Sequence, residues 1–172
     1  TTAGAVACER VVLAAGLGNA RLAPMVGLSA PAAANKGQVL VLERVRPFLP
    51  FPLETLRQTD DGTVLVGDSQ QDRGLDETLD PAVMGAMAAR AVRIFPFLRD
   101  VRINRAWAAL RVMWPDGLPI YAQSPEHPGA FVAACHSGVT LAAAHALALA
   151  PALRAGALPV ELASFSPERF DV

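Results

Sequence analysis

Lysine is almost absent from this chain of 172 residues: of fifteen basic side chains only Lys36 is a lysine, and the rest are arginines. The formal net charge is −1, so there is no basic excess. Charge balance therefore gives no support to a nucleic-acid partner or to binding on an anionic membrane surface. Cysteine is scarce too. Cys8 and Cys135 form no CxxC pair, which excludes a disulfide framework and makes a reducing cytoplasmic setting the expectation. The three histidines, His127, His136 and His145, lack metal-ligand spacing and have no acidic pair to join them, so no metal centre is expected. The first residues carry no basic segment followed by an apolar one, the mark of a signal peptide. They also lack an initiator Met, so the chain reads as a processed or cut piece. Between Pro128 and Leu153 charge is missing altogether. That length qualifies as a membrane span. The abundance of Ala, the polar His136, Ser137, Thr140 and His145, the dividing Gly138 and the stop at Pro151 argue instead for a buried strand, a turn and a helix buried all round.

What is present is a chain that folds. Apolar residues make up 52% and charged residues 18%, far from a disordered composition. Residues 10–16 form a short apolar run ended by Gly16 and read as a buried strand of a parallel sheet, one for which the chain supplies no obvious partner. Residues 38–46 read as a second strand. The prolines of residues 47–52 exclude helix and central strand there and leave a rigid connector. Asp60-Asp61-Gly62 between two apolar segments signals a hairpin. Asp80-Pro81 opens a helix with an N-cap and a proline in the first turn, and Val83, Met84, Met87, Ala91 and Ile94 recur at helical spacing until Pro96. A long strand over 101–113, a Trp114-Pro115-Asp116-Gly117 turn, and strands over 118–121 and 130–134 complete the pattern. The sum is an α+β fold: a mostly antiparallel sheet domain with flanking helices, plus remnants of an α/β domain.

Two places can carry chemistry. Residues 130–140 run from a strand through a tight turn into a helix start, where free backbone N–H groups and the helix dipole stabilise an anionic group. Arg111 lies near the end of an apolar strand, and a guanidinium fork holds a carboxylate at any working pH. Other candidates are weaker. Cys135 beside His136 makes a poor nucleophile and base pair, because neighbours on a strand point apart. Gly16-Leu17-Gly18 is an incomplete dinucleotide fingerprint, with Arg21 where its third glycine belongs. Asp68, Asp72 and Asp76 read as a solvated loop, and Trp107 and Trp114 as core.

Five segments in order resemble the D-amino-acid oxidase and glycine oxidase type of FAD-dependent oxidoreductase. Residues 11–16 (VVLAAG) resemble the strand that returns to the flavin. Lys36-Gly37-Gln38 resembles an Arg-Gly-Gln entry to the substrate sheet, and residues 61–67 (DGTVLVG) resemble the hairpin that follows. Residues 107–120 (WAALRVMWPDGLPI) are similar to the segment bearing the carboxylate-binding arginine, and residues 131–141 to the flavin loop. Residues 117–146 look nearest to the small-subunit flavoproteins of opine, hydroxyproline and cyanide-forming glycine dehydrogenases. Two departures are visible: Val112 stands where a proline is usual, and Cys135-His136-Ser137 where Gly-His-Gly is usual.

The resemblance implies oxidation of the C–N bond of a small amino acid, imino acid or opine, with FAD as cofactor. It places the substrate carboxylate on Arg111, the nucleotide part of FAD near Ala15 and Gly16, and the flavin ring beside His136, Ser137, Gly138, Val139 and Thr140. It divides the chain into a returning FAD-domain segment (1–35), a substrate domain (36–110) and a flavin-facing loop with its C-terminal helix (111–172). Partner subunits, or the missing N-terminal half, are expected. So is a cytoplasmic location, extending to the inner face of the membrane through such subunits. The competing reading is a non-catalytic interaction or scaffold module without flavin. Most of the grip on FAD in this family belongs to an N-terminal strand, Gly-rich turn and ribose-binding acid that these residues do not include. The purified chain alone is therefore expected to bind FAD weakly or not at all; a flavin absorbance spectrum showing stoichiometric FAD would refute this.

Overall fold

Backbone pairing sorts the strands into two sheets in this computed structural model, which describes residues 2–171. The strands are β1 (Val11–Leu13), β2 (Ala33–Arg44), β3 (Leu56–Gln58), β4 (Thr63–Val66), β5 (Ile103–Met113), β6 (Ile120–Gln123) and β7 (Ala130–Ala134). One sheet has the order β3-β4-β2-β5 and the other β1-β7-β6. The chain divides into two compact units, Ala34–Arg111 and the remainder on either side of it.

The unit Ala34–Arg111 is built on a hairpin. Gly62 turns it with φ +89, and a side chain there would meet the Val45 carbonyl at 2.6 Å, so both conformation and space require glycine. β4 pairs antiparallel with both β2 and β3. Alternation along these strands sends Leu40, Leu42, Leu56, Val64 and Val66 into one core, closed by Met87 and Ala91 of the helix Pro81–Ile94 and by Leu98. Asp80 caps that helix as its sequence suggests: the side chain accepts from the Ala82 and Val83 amides at 3.0 and 3.3 Å. In the proline-rich connector the free amides of Phe48 and Leu49 donate to Gln58 Oε1. Phe48 packs edge-on against Phe95 and Phe97, each with ring centroids 4.9 Å away.

The segment from Asp68 to Asp80 is largely exposed, as its acidic residues suggest, but it is not loose. It lies along the start of β2 and is fixed there by two buried polar residues two positions apart. Lys36, only 2% exposed, donates from Nζ to Asp76 at 2.8 Å and to the Thr78 carbonyl at 3.0 Å. Its backbone exchanges two hydrogen bonds with Gln71. The fully buried Gln38 accepts from the Asp80 amide and donates to Gln71, while its own amide donates to Ser69. Arg90, from the helix, donates to the carbonyls of Gly67 and Asp68. A buried ammonium demands such partners, and the acidic loop supplies them.

In the other unit β1 is not orphaned. It pairs in parallel with β7, Val12 opposite Phe131, and β7 pairs antiparallel with β6. The strand that completes the parallel pair lies over a hundred residues downstream, which local pattern cannot reveal. Ala23, Ala30, Trp114, Ile120, Ala122, Val132 and Ala134 form the core. Trp114 is thus core, whereas Trp107 is 39% exposed with the Arg105 guanidinium over its ring. The helix Ala142–Ala155, π-helical from His145 to Leu149, is not buried all round. Leu149 is buried, but Leu147, on the opposite side, is 80% exposed and Val139 ahead of it 94%. Among the described residues no single helix is long and apolar enough to cross a membrane; the stretch that qualifies by composition is two helices bent by 107°.

Hydrogen bonding to the Lys36 ammonium, and then to Thr78, holds the Asp76 carboxyl well below the ordinary carboxylate range. A depressed native value adds stability that is present above the unfolded carboxyl pKa, about 4, and is lost as pH falls through the native one. Asp76→Asn is expected to lower stability at neutral pH and to flatten its decline below about pH 4. Urea denaturation of both proteins across pH 2–7 checks this; parallel curves would refute it.

Candidate functional site

Arg111 sits in a cradle made wholly within the unit Ala34–Arg111. Its Nη1 donates to Asn35 Oδ1 at 3.2 Å and to the Ser69 carbonyl at 2.9 Å, and its Nη2 to Asp68 Oδ2 at 3.2 Å. The side chain is 27% exposed. Gly37 explains how the guanidinium fits: a Cβ there would lie 2.5 Å from Nη1 and 2.6 Å from Nη2. Along β2 the side chains of Lys36 and Gln38 point to one face and anchor the acidic loop, while position 37 faces the other way and must be empty for Arg111. A guanidinium has five N–H donors, and three are matched. Nε–H and one Nη2–H have no partner among the described residues, and two is the number that the oxygens of a carboxylate require.

The second candidate region belongs to the other unit and follows from its topology. Parallel strands end on the same side, so Ala15 and Gly16, after β1, and Cys135 to Thr140, after β7, come out together. Ala14, Gly16, Ala133, Ala134 and Cys135 line one cavity of about 360 Å³ with His145 and Leu149. The crevice outside the carboxyl ends of parallel strands is where nucleotides bind in α/β folds. Gly16 has φ +57, and Val112 would stand 3.3 Å from a Cβ added to it. The turn is clamped by Asn19, fully buried, whose Oδ1 accepts from the Ala15 amide and whose Nδ2 donates to the Leu13 carbonyl, both at 3.1 Å.

After β7 the chain leaves the sheet at Cys135, so Cys135 and His136 are not strand neighbours. Burial pushes the Cys135 thiol up, away from the reactive thiolate, and His136 Nδ1 faces Ser137 Oγ at 3.2 Å. Ser137 and Leu141 close a turn through the Leu141 amide, and Val139 accepts from Ala142. The amides of Gly138, Val139 and Thr140 have no partner among the described residues, and all three residues are exposed ahead of the helix. Free amide donors of this kind can hold an anionic group.

Comparison with known proteins identifies the family. The family model described as "FAD dependent oxidoreductase" (DAO) matches residues 1–152. The chain belongs to this family. It is 49% identical over 166 residues to one of the subunits of the opine oxidase of Rhizobium meliloti, covering 96% of this chain and 45% of that protein. It is 32% identical over 175 residues to the HcnC subunit of the hydrogen cyanide synthase of Pseudomonas aeruginosa, covering 98% and 42%. The crystal structure of glycine oxidase from Geobacillus kaustophilus superposes with a TM-score of 0.85 at 28% identity, over 96% of this chain and 46% of that one. The chain thus spans under half the length of these relatives, and the α+β architecture is that of the glycine oxidase fold.

Sequence reasoning did not find Asn35, Asp68, Ser69 or Asn19. The one available signal was Lys36 itself: a lone lysine at the start of an apolar strand needs a carboxylate once it is buried, and residues 68–80 hold the largest group of acidic side chains. Asn19→Ala is expected to destabilise the protein by about 1–3 kcal/mol, because it strands two backbone groups at the β1 turn. Chemical denaturation measures this, and a loss below about 0.5 kcal/mol, the range of surface changes, would refute the clamp.

Proposed function

We propose that the full-length protein is an FAD-dependent oxidoreductase that oxidises the C–N bond of a small amino acid, imino acid or opine, and that it works with partner subunits. The observation that carries the substrate class is Arg111, part-buried, oriented by three acceptors and left with two free donors. Every substrate in that class has a carboxylate next to the amine-bearing carbon, and a fork held in this way fixes its position. FAD, when bound, supplies the acceptor for the hydride. The amides of Gly138, Val139 and Thr140 are oriented donors for the charge that reduction creates, with His136 and Ser137 bordering them. Ala15 and Gly16, with no side chain larger than a methyl, give the nucleotide close access to backbone. Relatives that are named as subunits, of an opine oxidase and of a hydrogen cyanide synthase, support the expectation of partners. Nothing in the comparisons favours a flavin-free scaffold module.

Arg111→Leu in the full-length protein is expected to raise KM by about 10- to 100-fold, the loss of a charged hydrogen-bonded contact. Gly37→Ala should act in the same direction, since the added methyl displaces the guanidinium. Both variants should keep the flavin spectrum of the parent. Steady-state kinetics with unchanged KM in Arg111→Leu would refute the assignment.

A further inference from the structure

Asp68 is the charged partner of Arg111, and orienting the guanidinium occupies only one of its two oxygens. Its Oδ2 accepts from Arg111 Nη2 at 3.2 Å, its side chain is 41% exposed, and its Oδ1 has no partner among the described residues. The loop that carries it is exposed over much of its length but tied down at several points. Arg90 holds the Asp68 carbonyl at 3.0 Å, Ser69 is tied to both the Gln38 amide and Arg111, and the segment beyond is locked by buried Lys36. The loop therefore presents a fixed carboxylate beside the free donors of a fixed guanidinium. A ligand carboxylate that lands on Arg111 must come close to Asp68, and two like charges at that distance repel. A ligand that carries a cationic nitrogen on the carbon next to its carboxylate turns the repulsion into attraction.

We propose that Asp68 and Arg111 together read a zwitterion: Arg111 takes the carboxylate, Asp68 takes the neighbouring ammonium, and Asp68 thereby selects amine-bearing ligands over plain carboxylates. This rests on the function proposed above for Arg111. Asp68 is a specificity-determining residue; hydride transfer does not need it.

The test uses the full-length flavoprotein and two probes that differ only in the nitrogen, alanine and propionate, each titrated by perturbation of the flavin spectrum. Asp68→Asn keeps an oxygen that can accept from Arg111 while removing the charge. The parent should prefer alanine over propionate. Asp68→Asn should weaken alanine and tighten propionate, lowering the ratio about tenfold or more, which is one unit of 1.4 kcal/mol. Asp68→Glu, which restores the charge, should recover part of the preference. If Asp68→Asn shifts both probes by the same factor, Asp68 only orients Arg111 and the zwitterion reading is overturned while the carboxylate role stands. If neither probe perturbs the parent's flavin, the carboxylate role of Arg111 falls and the zwitterion reading with it. If Asp68→Asn fails to fold, Asp68→Glu decides the question, since it should lose far less discrimination than Asp68→Ser.

Discussion

A guanidinium cannot give up its charge, so wherever the chain brings Arg111 inside it must also bring acceptors and room. Most of the unit Ala34–Arg111 can be read as the answer to that requirement. Room comes from Gly37, where even one methyl would collide with Nη1. Acceptors come from Asn35, one residue before Lys36 on β2, and from Asp68 and Ser69 at the base of a loop distant in sequence. That loop needs its own reason to stay, and Lys36 and Gln38 provide it from the opposite face of the strand. Three consecutive residues of β2 thus do complementary things: two fasten the loop and the one between them leaves space. The arrangement explains why glycine, a poor strand former, is tolerated in the middle of a strand.

Much of this fold was legible in sequence because its signals are local. The Asp80-Pro81 helix start, the Asp61-Gly62 hairpin and the strands at 101–113 and 130–134 lie close to where periodicity and turn chemistry put them. Expectations failed where the deciding partner is far away in the chain. β1 finds its parallel neighbour in β7, and the acidic residues at 68, 72 and 76 find Arg111, Asn35 and Lys36. The helix Ala142–Ala155 failed for a different reason. An apolar composition states that a helix needs cover, not that this stretch of chain provides it; Leu147 stays exposed while Leu149, two positions on, is buried. Arg111 and the turn after β7 were both visible as candidates, but the residues that orient them, Asp68, Ser69 and Asn19, have no pattern of their own.

The two candidate regions have different origins. The cradle of Arg111 is assembled from side chains, each doing one task, and a single substitution can remove a contact. The region beyond β1 and β7 is assembled from backbone: two strand ends that must emerge side by side because the strands run the same way, a glycine turn, and three amides without partners among the described residues. Side chains there contribute little beyond their smallness. The donors are peptide groups, and the positions flanking Gly138 point outward.

Lys36 carries one more consequence. It is the only lysine in the sequence, and it is almost completely enclosed. Within these 172 residues, reagents that acylate side-chain amines find no exposed lysine while the fold is intact. Lys36 reacts only when the segment Asp68–Asp80 lifts from β2. The rate at which Lys36 is acylated is thus a clock for the opening of that segment, the same segment that presents Asp68 to Arg111. A residue buried for stability reports, by its reactivity, on the motions of the loop it fastens.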